Sequence, residues 1–547
     1  MNQPPCKAFY GVRPGGIQLP FASGLPQSLI MATSPANYLN GADWAVILFY
    51  LGGIIALGSW FGKDQRNTRD YFLGGKDIPW WGIGLSIVAA ETSALTIIGV
   101  PAMCYGEKGD LSFVQLIIGY VIARIILAVV MVPHYFKGEI YSPYQLFSNA
   151  FGECARRAAG GFFLLSETLS AGVRVYVACI PVTLMLGHKL LGAFGGGDAI
   201  RGAILLFVLL SLLYTCVGGV KAVIWTDAVQ FGLFLLGGVF TLCYIPHFFA
   251  GGAGEVLRLA GAGGKLHWFN GSVSWSSLWR EPINIWMGVI GGTFMVMSSH
   301  GAEQLIVQRV LACKSVREGR RALILSAVVI LPLFLIFLLV GAMLWVYYQN
   351  FPLAIAVPEV RPGSGIKAND FIFPIFMLTA VPHVLKGLLI VAILAAAMSS
   401  VSSALTSLAS VSTMDFAKKV LPDKSDRFFL RFSQLSTVLW GAALIIVASL
   451  SRQRAFVLET AFSLRGLTSG ALLGGLLLAV WWKRGAATPV IAGMFCSLAV
   501  MTWLSRPRAG FAIYFPWYTM IGCAVTVGVA MALRRLWPRP PVENGRK

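Results

Sequence analysis

The chain has 547 residues, of which 57% are hydrophobic and only 12% charged, against roughly 25% charged in ordinary soluble domains. Its formal charge of +20 lies in short connections between apolar blocks, with no basic stripe interleaved with aromatics. That pattern excludes a soluble protein and a nucleic-acid-binding module. Nine cysteines without a C-x-x-C pair, and six histidines without an H-E-x-x-H cluster, give no structural metal or redox centre.

Residues 1–42 read as a tail rich in Pro and Gly, with no basic-then-apolar signal peptide, and Met31 precedes a more ordinary start than Met1. Apolar blocks between charged or Pro/Gly breaks then predict transmembrane helices over 43–62, 79–104, 111–136, 160–187, 202–220 and 223–248. The series continues over 284–307, 322–347, 386–414, 431–450, 457–482, 486–504 and 513–533. The expectation is an all-α polytopic membrane protein of about thirteen transmembrane helices. In the long connection 348–385, Phe371–Thr379 is apolar enough for a short surface helix.

Alternate connections differ in charge. One set (63–78, 137–159, 221, 309–321, 415–431, 483–485 and the tail after 533) holds 25 lysines and arginines against 14 in the other. The richer set is expected on the cytoplasmic side. The N-terminus is then outside and the C-terminus inside, in a multi-pass protein of the cytoplasmic membrane. Predicted segments 2–6 and 7–11 form two groups of five, and an odd number of crossings gives them opposite orientation. Each group opens on a helix with small polar residues at mid-depth: Ala89-Ala90-Glu91-Thr92-Ser93 in one, Gly291-Gly292-Thr293 with Ser298-Ser299 in the other. Paired interrupted helices of this kind mark the midplane site of inverted-repeat transporters.

The predicted organisation is a first helix and loop over 43–78, repeat one over 79–248 and an outer loop over 249–283. Repeat two covers 284–482, two further helices 483–533, and a basic cytoplasmic tail 534–547.

The ninth segment carries Ser399, Ser400, Ser402, Ser403, Thr406, Ser407, Ser410, Ser412 and Thr413, a hydroxyl density unsuited to lipid contact. One reading is a helix–helix interface whose hydroxyls bond back to carbonyls one turn earlier. The other is a hard-cation site, because a dehydrated cation takes several oxygens. Glu91, Glu167, Arg174 and Asp227, with Arg124 a weaker fifth, are ionisable residues within or near the apolar zone. Glu91 falls in the break of segment 2, and Asp227 is placed to meet the inner half of segment 9. Glu167 and Arg174, seven apart, are placed to neutralise each other. His300 and Glu303 share a face at i+3 and suit a metal, a proton relay or plain packing.

Four motifs run along the chain: Asp70-Tyr71-Phe72-Leu73-Gly74-Gly75-Lys76 before Pro79-Trp80-Trp81; Gly218-Gly219-Val220-Lys221 through Trp225-Thr226-Asp227 to Gln230; Gln304-Leu305-Ile306-Val307-Gln308-Arg309; and Ala395 through Ser399-Ser400 to Thr413-Met414-Asp415. Together they resemble the sodium:solute symporter family over roughly residues 40–505. The resemblance implies a LeuT-like core of two inverted five-helix repeats with alternating access. It also implies a principal sodium site formed by the backbone carbonyls of Ala89, Thr92 and Ala396 with the hydroxyls of Ser399 and Ser400. The pattern of a second sodium, Asp227 with Ser402 and Ser403 and with Ser399 adjacent, is present as well.

For the substrate the likeness thins. Where sugar-carrying relatives use a Gln, an Asn and a Tyr, Thr96, Val296 and Ser299 stand here, and the lysine of their eighth segment is missing. Arg174 lies about one turn from an arginine of acid-carrying relatives. Glu91 favours an amino-bearing group, and Glu91 with Arg174 would suit a zwitterion or neutralise each other. Ser93, Thr96, Ser298 and Ser299 are neutral contact candidates.

The expected function is sodium-coupled symport of a small polar organic solute, with sodium, the solute and the lipid bilayer as partners and no obligatory protein partner. Proton coupling on the same fold and a non-transporting solute sensor remain alternatives. No nucleophile–base pair, metal cluster or phosphate loop supports an enzyme.

Overall fold

The computed structural model describes residues 38–536 except 139, 272–273, 275–277, 280–282, 359–366, 454, 483–484, 506–512 and 535. The predicted tail before residue 38 and the basic tail after 536 lie outside these residues. All regular structure among the described residues is helical. Each predicted apolar segment falls on helix: Gly41–Phe61, the pair Trp80–Glu91 and Ala94–Tyr105, Val114–Val130, Glu153–Leu186, Ala199–Tyr244, Thr293–Gly301 with Gln304–Leu311, Val316–Asn350, Leu385–Val411, Asp426–Gln453, Ala455–Trp481, Ala487–Leu504 and Tyr518–Leu533. By length and apolarity alone, eight of the described helices qualify as membrane spans, or nine with the bent pair counted as one.

The segments predicted over 202–220 and 223–248 form one run broken at Gly219 (φ 57°, ψ −156°). A straight helix over the 50 residues Ala199–Phe248 would be about 75 Å long, far more than the ~30 Å of a hydrocarbon core. The kink is built into the sequence. A Cβ on Gly219 would stand 2.6 Å from the Tyr71 carbonyl oxygen. The Tyr71 hydroxyl donates to the freed Cys216 carbonyl at 3.1 Å, and Gln65 Nε2 donates to the Gly218 carbonyl at 3.1 Å.

Burial separates the helices by role. The best apolar window of Gly41–Phe61 is 17% buried, whereas that of the serine-rich helix is 94% buried. Leu48, Phe49 and Trp60 stand exposed on the first helix, as lipid-facing side chains do. The serine-rich helix packs against Ala199–Tyr244, Glu153–Leu186, Gly41–Phe61 and Asp426–Gln453. Its start is pinned by Asp43, which accepts hydrogen bonds from the backbone of Val384 and Gly387.

Two expectations are corrected. Ile372–Thr379, expected on the surface, is buried from Ile372 through Leu378, because its mixed apolar faces are covered by the broken helix, the serine-rich helix and Glu153–Leu186. The connection 249–283 carries an unforeseen helix, Gly252–Ala262. Just past that helix, Lys265 donates to the carbonyls of Cys104, Gly106 and Gly109 at 3.2, 2.5 and 2.9 Å. It thereby caps the end of Ala94–Tyr105.

Candidate functional site

The first helix of the bent pair stops at Glu91. Thr92 (φ −82°, ψ 101°) and Ser93 (φ −95°, ψ 171°) run extended before helix resumes at Ala94. The Thr96 hydroxyl accepts from the Ser93 backbone at 3.3 Å, securing the new start, and the two halves bend by 57°. Extended residues leave carbonyls of the last turn without helical partners. Thr92 is fully buried, and its hydroxyl oxygen has no hydrogen-bond partner. An unsatisfied buried polar atom calls for a ligand, a water or an ion.

The serine-rich helix faces this break. Ser399 Oγ lies 3.4 Å from the Ala89 carbonyl oxygen and 2.7 Å from Asp227 Oδ1. One hydroxyl therefore joins the broken helix, the serine-rich helix and Ala199–Tyr244. Other hydroxyls bond along their own helix: Ser400 to Ala396 O at 3.2 Å, Ser402 and Ser403 to Ser399 O at 3.0 and 2.7 Å, and Thr406 to Ser402 O at 2.6 Å. Back-bonding of this kind is the packing account of the serines, and it spends only each hydroxyl's hydrogen, not its lone pairs. A cavity of about 20 Å³ beside Ser93, Arg174, Ala397 and Ser400 has room for one water-sized occupant.

Asp227 is fully buried and holds more partners than sequence reasoning supplied. Its Oδ2 accepts from Ser86 Oγ at 2.6 Å and from Arg309 Nη2 at 2.9 Å. Arg309 also donates to Ser403 Oγ at 2.5 Å and to Ser86 Oγ at 2.8 Å. The charge count placed Arg309 in a cytoplasmic connection, but it is 2% exposed on Gln304–Leu311. The signal was its fixed place in the Gln304–Arg309 motif, directly after an apolar run.

Beyond the break lies a cavity of about 400 Å³ lined by Glu91, Tyr120, Arg174, Ser299, His300 and Tyr518 among others. Two of its charged residues, Arg174 and Glu91, are engaged in ion pairs. Arg174 Nη2 lies 2.5 Å from Glu167 Oε1, the pairing expected from their spacing. Glu91 is bonded to Arg124, a partner the sequence reading did not assign to it, and both Glu91 and Arg174 line this cavity. Arg124 is fully buried and also contacts His300 Nε2 at 3.1 Å and Ser326 Oγ at 3.2 Å. Gly119–Val130 surrounds it with apolar residues, a signal that an intramembrane charge has a designated partner. His300 lies 3.7 Å from Glu91 and 2.9 Å from Ser299 Oγ. His300 thus links Arg124, Glu91 and Ser299, and no group of three or more His, Cys, Asp or Glu forms a metal cluster among the described residues.

Ser298 is spent structurally on the Ser469 carbonyl at 2.7 Å and does not line the cavity. Thr96 lies on the other side, in a second cavity of about 480 Å³ that includes Lys367, Asn369 and Asp370. Glu91 and Tyr120 line both cavities and form their shared wall.

Comparison with known proteins agrees with this architecture. The family model described as the sodium:solute symporter family matches residues 71–496. A sodium/sialic acid symporter of Proteus mirabilis (strain HI4320) is 31% identical over 493 residues, which cover 88% of this chain and 92% of that protein. Sodium-coupled monocarboxylate transporter 1 of Homo sapiens is 26% identical over 87% of this chain and 74% of its own length. A solved structure of a Na+-coupled sialic acid symporter, substrate-bound and outward-open, superposes with a TM-score of 0.77 at 26% identity. It covers 91% of this chain and 99% of that one. A nucleobase-cation-symport-1 family transporter shares the fold at a TM-score of 0.51 and 14% identity. The helical array, the broken helix and the family match over most of the chain lead to one conclusion: the protein belongs to the sodium:solute symporter family.

Proposed function

We propose that the chain imports a small polar organic solute together with sodium by alternating access, with its N-terminus outside and its C-terminus in the cytoplasm. The observation that carries this reading is Ser399 Oγ, which joins the Ala89 carbonyl of the broken helix to Asp227. The orphaned Thr92 hydroxyl in the same break supports it. The principal sodium takes the carbonyls of Ala89, Thr92 and Ala396 with the hydroxyls of Ser399 and Ser400, and Thr92 Oγ1 adds a sixth oxygen. Hard monovalent cations favour such an all-oxygen shell. A second sodium takes Asp227, Ser402 and Ser403, with Arg309 as the counter-charge it must displace or share. Each sodium moving inward gains about 2.3 kcal/mol per 100 mV of membrane potential.

The solute occupies the cavity of about 400 Å³, where Arg174, Glu91, Ser299 and His300 offer polar contacts, and Ser93 reaches it through the small void beside Arg174. The relatives are named for sialic acid and monocarboxylates, both of them anions, so carboxylates head the candidate solutes. The test is a sodium-dependent thermal-shift and uptake screen over carboxylates, amino acids and sugars. A solute whose uptake requires sodium supports the reading. Uptake that follows a pH gradient and ignores sodium replaces it with proton coupling.

A further inference from the structure

A cavity of about 640 Å³ lies away from both the break and the solute cavity, where the loop at Lys137, the helix Tyr144–Phe151, the start of Glu153–Leu186 and the segment after the serine-rich helix converge. Its described lining carries four basic residues, Lys137, Arg156, Lys418 and Lys419, and one acid, Glu153. That acid is already engaged: Lys419 Nζ is 3.0 Å and Arg156 Nη1 3.5 Å from its Oε1. Arg156 is buried at the cavity floor, where its Nε meets Asp415 Oδ1 at 2.7 Å. The remaining cationic charge faces a space many times the ~30 Å³ share of one water.

Exposed apolar side chains adjoin the lining in sequence: Val420, 69% exposed, and Leu421, 37% exposed, stand between the lining residues Lys419 and Pro422. Lysines beside exposed hydrophobics suit an amphipathic anion better than a free one. These connections belong to the basic set expected on the cytoplasmic face, where anionic lipids reside.

We propose that this cavity binds the phosphate-bearing headgroup of an anionic phospholipid, with Lys137, Lys418 and Lys419 countering its charge and Val420 and Leu421 meeting its acyl chains. The site is independent of the solute and sodium sites. It adjoins the π-turn Ser412–Ala417 that ends the serine-rich helix, so an occupant braces the element on which Ser399 rides.

The test uses the purified full chain in detergent, with phosphatidylglycerol, phosphatidylcholine or inorganic phosphate added. Lipid retention is read by native mass spectrometry and stabilisation by thermal shift. Phosphatidylglycerol is expected to be retained and to stabilise, and phosphatidylcholine and phosphate to do neither. Lys418→Gln with Lys419→Gln should weaken phosphatidylglycerol binding about tenfold or more, given the several-fold effect of each lysine near an anionic surface. The charge-matched pair Lys63→Gln with Lys314→Gln, outside the cavity, should leave it unchanged. Lys137→Gln alone provides a second variant if the double one folds poorly, with a several-fold loss expected. Equal retention by the cavity variants, no preference over phosphatidylcholine, or full stabilisation by inorganic phosphate alone would each overturn the proposal. Because the readout is binding, its failure is separate from any failure of transport.

Discussion

Arg309 Nη2 lies 2.9 Å from Asp227 Oδ2, and the same nitrogen reaches Ser403 Oγ at 2.5 Å. A guanidinium thus stands among the oxygens of the proposed second cation site. Both side chains are buried, at 3% and 0% exposure. Removing one member of such a pair leaves a lone buried charge and costs about 3–5 kcal/mol. We therefore expect Arg309→Gln to lower thermal stability strongly in sodium-free buffer, and Asp227→Asn added to it to restore most of the loss. Sodium should stabilise Arg309→Gln more than the unaltered protein, because a cation can replace the missing charge, and choline should not. Equal sodium shifts in the two proteins would remove Asp227 from the cation path.

Asp227→Asn alone bears on stoichiometry. It should lower the steepness of the sodium dependence of uptake while leaving the principal site in place. An unchanged sodium-to-solute ratio in a flux assay would leave one coupled ion.

Thr92 and Ser399 separate ligation from folding. Thr92→Val removes a hydroxyl that has no partner, so the fold should lose almost nothing while sodium affinity weakens. Ser399→Ala deletes a donor to a carboxylate, and bonds to charged groups contribute about 1.5–3 kcal/mol. It should weaken sodium activation about tenfold or more. Sodium titrations followed by thermal shift measure both, and an unaltered midpoint in Ser399→Ala would contradict the assigned site.

Glu91→Gln tests the solute cavity. The neutral amide keeps the shape but leaves Arg124 without its carboxylate. We expect solute half-saturation to rise about tenfold, with the sodium midpoint nearly unchanged, measured by radiolabelled uptake once a solute is known. A change in sodium midpoint alone would move Glu91 from the solute site to the ion site.

Gly219→Ala probes the kink. Its backbone lies in a region essentially reserved for glycine, and a Cβ there would collide with the Tyr71 carbonyl. A loss of about 1–3 kcal/mol is expected, visible as a reduced melting temperature or lower yield of folded protein.

Much of this was legible in the sequence because lipid imposes a simple rule: apolar blocks become helix, since the backbone must satisfy itself there. The break at Glu91-Thr92-Ser93, the burial of the serine-rich helix and the Glu167–Arg174 pair followed from small polar residues and charges inside those blocks, and the nearness of Asp227 to Ser399 from the family resemblance. What was not legible depends on distance across the fold. Arg309 looked like a loop charge because it closes an apolar run, and only its approach to Asp227, 82 positions away, reveals it as a core residue. Arg124 was noticed, but its choice of Glu91 depends on how Val114–Val130 packs against Val316–Asn350 and Thr293–Gly301. Ser298 resembled a contact residue, yet helix packing aims it at the Ser469 carbonyl. Ile372–Thr379 had the composition of a surface helix, and only the elements around it decide its burial.

The Ser399 hydroxyl carries one hydrogen, yet two acceptors lie within its reach, the Ala89 carbonyl and Asp227. It can serve only one at a time. When a cation draws the Ala89 oxygen and the serine lone pairs toward itself, that hydrogen turns wholly to the carboxylate. Asp227 then becomes less basic and its grip on Arg309 slackens. In the proposed assignment the two ion positions share this single rotor, so loading one would change the other with no helix having to move.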